Sequence, residues 1–200
     1  MKVGTKSVIF GAHSFLIHPF FVAAAWWKLY GFPWDPRLWA AFFFHDIGYL
    51  GKPNMDSIEG ERHVLLGGRF MGWVCGAKWR DFMLCHSRHW AKRLSKPYSK
   101  LCVADKLAFV MTPAWLYLPM ARASGELAEY MHVASARQSG GQFSNFELSL
   151  LKCRNPEVWL EGLKSYTRRW IEKHRDGCAD HWTVIRSTEP QPEACDGGGY

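Results

Sequence analysis

The chain has 200 residues, a formal net charge of +7, 48% hydrophobic residues and 16% aromatic residues. This composition excludes a disordered chain, and the length suits a single domain with its own core. The positive charge favours phosphate-bearing ligands, but the basic residues are spread out, with no block of about five or six like charges. We therefore expect a small anionic substrate as the partner, and no nucleic acid.

The most apolar stretch covers residues 15–30, but His18, Pro19 and Lys28 interrupt it. A membrane span needs about 18 or more consecutive apolar residues, so the pattern favours a buried helix and no membrane contact. The first residues carry no basic region followed by a cleavable apolar segment, and the six cysteines form no C-x-x-C pair. These features predict a cytoplasmic protein with reduced, mostly buried thiols.

The first half of the chain predicts two long helices. Residues 6–30 are apolar almost all round, which is typical of a central helix, and Gly31 is a suitable stop. Asp35 can cap the next helix with Pro36 at its first position. This second helix is predicted over residues 37–46.

Further helices follow at regular intervals. Ser57 is predicted to cap a third helix, which has acidic residues in its first turn, where they favour the helix dipole. The helix near residue 100 is expected to end at Pro113. The remaining predicted helices cover residues 78–94, 98–110, 118–136 and 146–173.

Strand signals are weak throughout, so the sequence predicts an all-α fold. A single helical domain is expected over residues 1–185. Residues 186–200 are rich in Ser, Pro, Glu, Asp and Gly, which predicts a disordered C-terminal tail.

Residues of the metal-ligating types recur within these apolar helices. A single histidine on an apolar face is usually a hydrogen-bonded core residue, whereas a buried carboxylate is costly unless it is paired or bound to metal. Asp46 follows three phenylalanines, and Asp105 lies within an apolar run. Imidazole and carboxylate together suit iron, manganese, zinc and related ions. The residues that form this pattern are His18, His45, Asp46, His63, His86 and Asp105.

The same residues carry a resemblance to a known family. The run AAFFFHDIG at residues 40–48 resembles the apolar-His-Asp-Ile-Gly signature of the HD superfamily of metal-dependent phosphohydrolases. HPFFVA at residues 18–23 resembles its first helix, and HVLLGG at residues 63–68 resembles the His-x-x-x-Gly helix of members that hold two metals. LCHS at residues 84–87 and VADK at residues 103–106 match the next histidine and the last aspartate. The resemblance spans roughly residues 13–110 and implies an HD-type helical bundle.

The resemblance also implies a ligand set for two divalent ions, of iron, manganese or another transition metal. One ion would be bound by His18, His45, Asp46 and Asp105. The second would be bound by His63 and His86, with Asp46 as the bridge between the two. Metals about 3.5–4 Å apart can share a hydroxide and clamp a phosphoryl oxygen.

Several further residues are candidates for catalysis or substrate binding. Asp46 and Arg88 are the expected catalytic residues, together with Glu61, which could act as an acid or base or could orient a ligand histidine. Position 49 is Tyr, where many family members have Lys, so a phenol is expected near the site. The expected substrate-binding residues are Tyr49, Lys52, Arg62, His89 and Lys106.

Two assignments within the ligand set stay open at this stage. His13 competes with His18 as the first ligand, because Pro19 is awkward just after a helical ligand unless it lies at a helix start. His89 competes with His86, since residues three apart lie on the same helix face.

The predicted function is a metal-dependent phosphohydrolase acting on a nucleotide or a related small phosphoester. The alternative is an HD-type oxygenase with a di-iron pair, which would cleave a small organophosphonate or polyol. Tyr49 and the phenylalanines beside His45 would suit either chemistry. Self-association into a homo-oligomer is possible for helical proteins of this type, and no residue pattern fixes it.

Overall fold

A computed structural model of the chain describes residues 1–136 and 142–176, and every regular element within them is helical. The predicted all-α fold is confirmed over these residues. The end of the predicted domain and the predicted tail lie outside them. The helices are α1 Val3–Phe10, α2 His18–Tyr30, α3 Pro36–Phe44, α4 Ile58–Glu61, α5 Val64–Cys75, α6 Ala77–Leu84, α7 Arg88–Arg93, α8 Lys100–Met111, α9 Ala114–Ser124, α10 Glu126–Ala136, α11 Asn145–Leu151 and α12 Pro156–His174.

The long helix predicted over residues 6–30 is wrong, because the chain breaks between α1 and α2. Gly11 ends α1, and α2 begins only at His18. Pro19 is the reason for the late start, since proline has no backbone N–H and fits only the first turn of a helix. The apolar character continues across the break, and the break places His18 at a helix end.

The capping residues in the first half of the chain are confirmed. Gly31 follows α2 with φ of 88°, a left-handed conformation that glycine adopts easily. The Asp35 side chain accepts a hydrogen bond of 2.9 Å from the backbone N–H of Arg37, and Pro36 is the first residue of α3. The helix ends at Phe44, and a 3-10 turn follows over Ile47–Tyr49.

The other long predicted helices, except the one that corresponds to α8, are also each divided by a turn in the structure. Ser57 caps a helix as predicted, but this is the short α4, and a turn at His63 separates it from α5. The helix predicted over residues 78–94 breaks at His86, where Ser87 caps α7. Gly125 divides α9 from α10, with φ of 92°. Asn155 and Pro156 start α12 separately from α11, by side-chain capping and a fixed φ.

The main apolar core lies where α2 packs against α3 and α8, and where α5 packs against α6. A second core forms where α12 packs on α8 and α9. Among the described helices, no single one is long and apolar enough to cross a membrane, although α8 and α9, bent by 104°, would have the length and composition as a pair. The fully buried core side chains include Val22, Phe42, Met71, Met83, Leu101 and Trp159.

Candidate metal centre

Two groups of buried side chains lie next to each other between the helices, and each could hold a metal ion. The first group is His18, His45, Asp46 and Asp105, and the second is Asp46, His63 and His86. Within each group, one potential ligand atom per residue lies within 4.8 Å of all the others. These are the residues that the sequence pattern brought together.

The first group converges on the carboxylates of Asp46 and Asp105. His18 Nε2 lies 3.0 Å from Asp105 Oδ1 and 3.6 Å from Asp46 Oδ2. His45 Nε2 lies 3.1 Å from Asp46 Oδ2 and 3.8 Å from Asp105 Oδ1. Two imidazole nitrogens and two carboxylates form a donor set that suits first-row transition metals.

The second group uses the other oxygen of Asp46. His63 Nε2 and His86 Nε2 lie 3.7 Å and 3.6 Å from Asp46 Oδ1. Since Oδ2 of the same carboxylate faces the first group, Asp46 is placed to bridge the two groups.

Helix ends supply most of the ligands. His18 opens α2, His45 and Asp46 follow α3, His63 precedes α5, and His86 follows α6. The breaks that periodicity did not reveal are therefore the places from which the ligands project. Asp105, within α8, lies in the interior of a helix.

The imidazole rings of the centre are oriented by backbone carbonyl groups. Nδ1 of His45 lies 2.9 Å from Phe42 O, and Nδ1 of His63 lies 2.7 Å from Gly60 O. Nδ1 of His86 has the same contact with Met83 O, at 2.6 Å. A carbonyl oxygen only accepts, so each Nδ1 carries the proton. In the neutral ring Nε2 is then left as a lone-pair donor towards the centre.

This tautomer makes the centre incomplete without a cation. The lone pairs of His63 Nε2 and His86 Nε2 face each other at 3.0 Å, and neither nitrogen in the neutral rings has a proton to donate. In the same neutral tautomer, His45 Nε2 and Asp46 Oδ2 are two buried acceptors 3.1 Å apart with no proton between them. Buried polar atoms without partners are costly, and a metal ion would satisfy them together. The residues present therefore fit a metal.

The two carboxyl groups are held ionised by their surroundings. Burial alone would raise the pKa of Asp46, but the charges of His45 and His13 hold this pKa well below its usual range. Burial also opposes ionisation of Asp105, yet Lys106 and the histidines of the centre keep its pKa well below the usual value. Both groups are thus carboxylates at neutral pH, as metal binding requires.

The histidines of the two groups differ in the direction in which their surroundings shift the pKa. Burial, together with the charge of His86, lowers the pKa of His63 to about 3, and burial lowers the pKa of His18. Burial also works against a charged His45, but Asp46 and neighbouring Asp105 outweigh it and raise the pKa of His45 to about 10. A proton on His45 or a metal ion in its place supplies the positive charge that the two carboxylates attract.

His13 and His89 lie outside both ligand groups. Nδ1 of His13 lies 3.2 Å from Glu126 Oε2, and its ring centroid is 5.6 Å from that of His18. His89 is buried on α7, and neither of its ring nitrogens has a hydrogen-bond partner. Of the competing histidines, His18 and His86 are therefore the ones that the structure places in the centre.

A pocket of about 200 Å³ opens beside the first group, and His18 and Asp105 form part of its wall. Arg88 and Lys106, two of the predicted functional residues, also line it. Lys106 Nζ lies 2.5 Å from Asp105 Oδ2, while Oδ1 of the same carboxylate faces His18. Asp105 thus joins the first ligand group to Lys106 in the wall of the pocket.

Four other predicted functional residues do not line this pocket. Glu61 accepts a hydrogen bond of 2.8 Å from the hydroxyl of Ser87, next to His86 in the chain, so it supports a ligand-bearing turn. Tyr49 is buried and stacks on His63, with ring centroids 4.0 Å apart. Arg62 is exposed, and Lys52 lies beside Gly4 of α1; neither lines the pocket.

Sequence reasoning missed several residues around the pocket. Tyr130 and Tyr166 line it, as does Trp170 of α12. Arg88 donates a hydrogen bond of 3.2 Å to the hydroxyl of Tyr166. These aromatic residues lie in helices beyond the ligand pattern, and no local signal distinguishes them from ordinary core residues. Glu126, which the structure buries completely at the start of α10, was also missed, because the sequence placed it inside a helix predicted over residues 118–136.

Comparison of the chain with protein-family models, with curated proteins and with solved structures found no significant match. What the centre can do follows from its own residues. A buried cluster of imidazoles and carboxylates has the donor atoms that transition metals prefer, and a pocket with two basic side chains lies beside it.

Proposed function

We propose that the protein is a metal-dependent phosphohydrolase of the HD type that uses two divalent ions. The observation that carries the proposal is the position of Asp46, whose two oxygens face two separate groups of ligand atoms. Paired ions that share a carboxylate are typical of enzymes that cleave phosphoesters. The resemblance of the ligand-bearing segments to HD phosphohydrolases supports the same conclusion.

The pocket supports an anionic substrate. Bound divalent ions would supply a water of lowered pKa and would polarise a phosphoryl oxygen. Arg88 and Lys106 line the pocket beside Asp105, where they can hold the phosphate oxygens and neutralise charge that develops on them. The burial of the ligand residues limits the access of bulk water and strengthens these electrostatic contacts.

The size of the pocket favours a small substrate. Its volume of about 200 Å³ lies below the range of about 300–1,000 Å³ that is usual for larger organic ligands. A small phosphoester fits this volume better than a dinucleotide does. We therefore place small phosphomonoesters ahead of nucleotides as substrates.

A hydrolysis screen tests the proposal. The protein, loaded with Mn²⁺ or Fe²⁺, is assayed for phosphate release from small phosphoesters, mononucleotides and dinucleotides. We expect release from at least one small phosphoester, and a loss of about 100-fold or more in Asp46→Ala, since this change removes a ligand of both ions. The matched control is His132→Ala, because His132 is exposed and outside the cluster.

The alternative function is an oxygenase, and the contact of Tyr49 with His63 is the observation that favours it. A phenol stacked on a ligand histidine is placed to take part in redox chemistry. No phosphate release from any ester, together with two irons per chain and substrate-dependent oxygen uptake, would contradict the phosphohydrolase and support the oxygenase.

A further inference from the structure

Glu126, at the start of α10, is a buried carboxylate that belongs to neither of the two ligand groups. Its side chain has no exposed surface. It accepts hydrogen bonds from the backbone N–H of Ala12 at 3.1 Å and from the Ser124 hydroxyl at 2.7 Å. Tyr130 donates a longer one, at 3.4 Å. A buried carboxylate is tolerated only with such donors, and its further side-chain contacts are with Ser7 and His13.

The contact with Glu126 fixes the orientation of the His13 ring. His13 Nδ1 lies 2.9 Å from Ser7 Oγ and 3.2 Å from Glu126 Oε2. The carboxylate only accepts, so Nδ1 carries a proton and donates it towards this pair. The close approach of this segment depends on Gly11, since a Cβ there would lie 2.3 Å from Glu126 Oε1. The loop between α1 and α2 is therefore shaped around this pair.

The free edge of His13 belongs to the pocket. The side chain keeps 21% of its surface exposed, whereas Glu126 behind it has none, and His13 lines the pocket together with His18 and Asp105. Nε2 lies across the ring from the Nδ1 edge that Glu126 holds, so it points away from Glu126. The same pocket contains Arg88 and Lys106.

We propose that His13 is a substrate-contacting residue, which hydrogen-bonds an oxygen of the bound phosphoester through Nε2, and that Glu126 is the positioning residue that holds the ring for this contact. The substrate oxygen would be held by His13 and by the cations Arg88 and Lys106 in one pocket. This proposal rests on the proposed phosphohydrolase function, and it adds a pocket role for a histidine that binds no metal.

Two substitutions at position 13 separate the two edges of the ring. His13→Asn keeps an amide N–H near the position of Nδ1, so it can still pair with Glu126, but it has no group at the position of Nε2. His13→Gln reaches the position of Nε2 and can still donate there. Glu126→Gln keeps the shape of the positioning residue and removes its charge. His132→Ala is again the exposed control.

The measurement is calorimetric titration of inorganic phosphate into each metal-loaded protein, with metal content determined on the same samples. We expect His13→Asn to bind phosphate about 10- to 100-fold more weakly than wild type, as for the loss of a hydrogen bond to a charged group. His13→Gln should recover most of the affinity, and Glu126→Gln should lose part of it. Metal content should stay at the wild-type value in all of them.

Nuclear magnetic resonance of the histidine side chains gives a second readout. Addition of phosphate to the wild-type protein should shift the ¹⁵N resonance of His13 Nε2, and this shift should shrink in Glu126→Gln. Equal phosphate affinity in wild type and His13→Asn, at equal metal content, would overturn the role of His13 alone. If the metal-loaded wild type bound no phosphate, the anion pocket and the contact of His13 would be overturned. If the wild type failed to bind metal at all, the proposed function would be overturned.

Discussion

At His45, His63 and His86, which lie next to helix ends, a hydrogen bond to one backbone carbonyl orients the ring so that Nε2 faces the centre. In His45, His63 and His86 alike, Nδ1 contacts the carbonyl oxygen of the residue three positions earlier. The last turn of a helix leaves such carbonyls without the usual partner four residues later. Gly60 O and Met83 O accept instead from the backbone N–H of His63 and His86, at 3.0 and 3.3 Å, and each oxygen has a second lone pair for the ring of the same histidine. The ring is thereby held with Nε2 towards the ligand groups.

The neutral state of His63 gives a pH dependence in the metal-free protein. Its pKa is lowered to about 3 in the folded protein, against about 6.5 in an unfolded chain, so below pH 6.5 only the unfolded state takes up the proton. The free energy of unfolding of wild type should therefore fall, relative to His63→Asn, by up to about 1.4 kcal/mol per pH unit as the pH drops below 6.5.

Chemical denaturation of both proteins in a metal chelator between pH 5 and 7.5 measures this difference. Metal must be absent, because an ion bound to His63 would compete with the proton. Stability curves that run parallel over this range would show that His63 titrates alike in the folded and unfolded states, contrary to the expectation.

At the level of the elements, the centre depends on a close approach between the 3-10 turn and the start of α5. A Cβ on Gly48 would lie 1.9 Å from the backbone oxygen of His63, which leaves no room for any other residue. Gly48 lies two residues after Asp46, so this approach brings the bridging carboxylate to His63 and His86.

Gly48→Ala should therefore force the turn away from α5. We expect a loss of about 1–3 kcal/mol in stability from overpacking, together with reduced metal content in the group that contains His63. The control is Gly72→Ala within α5, where the three atoms nearest to a new Cβ all belong to the Arg80 side chain and none to the backbone, the closest being Arg80 Cβ at 3.0 Å. Thermal unfolding and metal analysis compare the two, and equal values for both variants would speak against this approach.

The ligand-type residues could be read from the sequence, whereas the helix breaks could not. A carboxylate among apolar residues, as at Asp46 and Asp105, stands out because burial without a partner is costly. The break before His18 leaves no trace in hydrophobic periodicity, since both sides of it are apolar, and no Gly or Pro adjoins His86 to mark the second break. The choice between His13 and His18 depended on such a break.

The pocket could not be predicted from the sequence, for a different reason. His13 and Glu126 are 113 positions apart, and their contact arises only when α10 packs near the first loop. Arg88 likewise meets Tyr166 across 78 positions. One sequence contains no local pattern that records such pairs, so the pocket had to come from the structure.

On the scale of the whole molecule, the candidate metal ligands and much of the pocket beside them come from different parts of the chain. The ligands lie between α2 and α8, whereas α9, α10 and α12 supply much of the pocket wall. Trp170 of α12 packs on Tyr98 and lies 5.6 Å below the guanidinium of Arg88. Helix α12 thus forms one wall of the pocket, beside a candidate centre whose ligand residues all lie within the first 105 residues.

Metal stoichiometry tests the central claim, which is a two-ion centre bridged by Asp46. Each protein is reconstituted with Mn²⁺ or Fe²⁺, freed of unbound metal and analysed by mass spectrometry for ions per chain. We predict two ions for wild type and for the exposed control His132→Ala, about one for His63→Ala, and less than one for Asp46→Ala. A wild-type protein with fewer than two ions, or a His63→Ala variant that keeps both, would contradict the account.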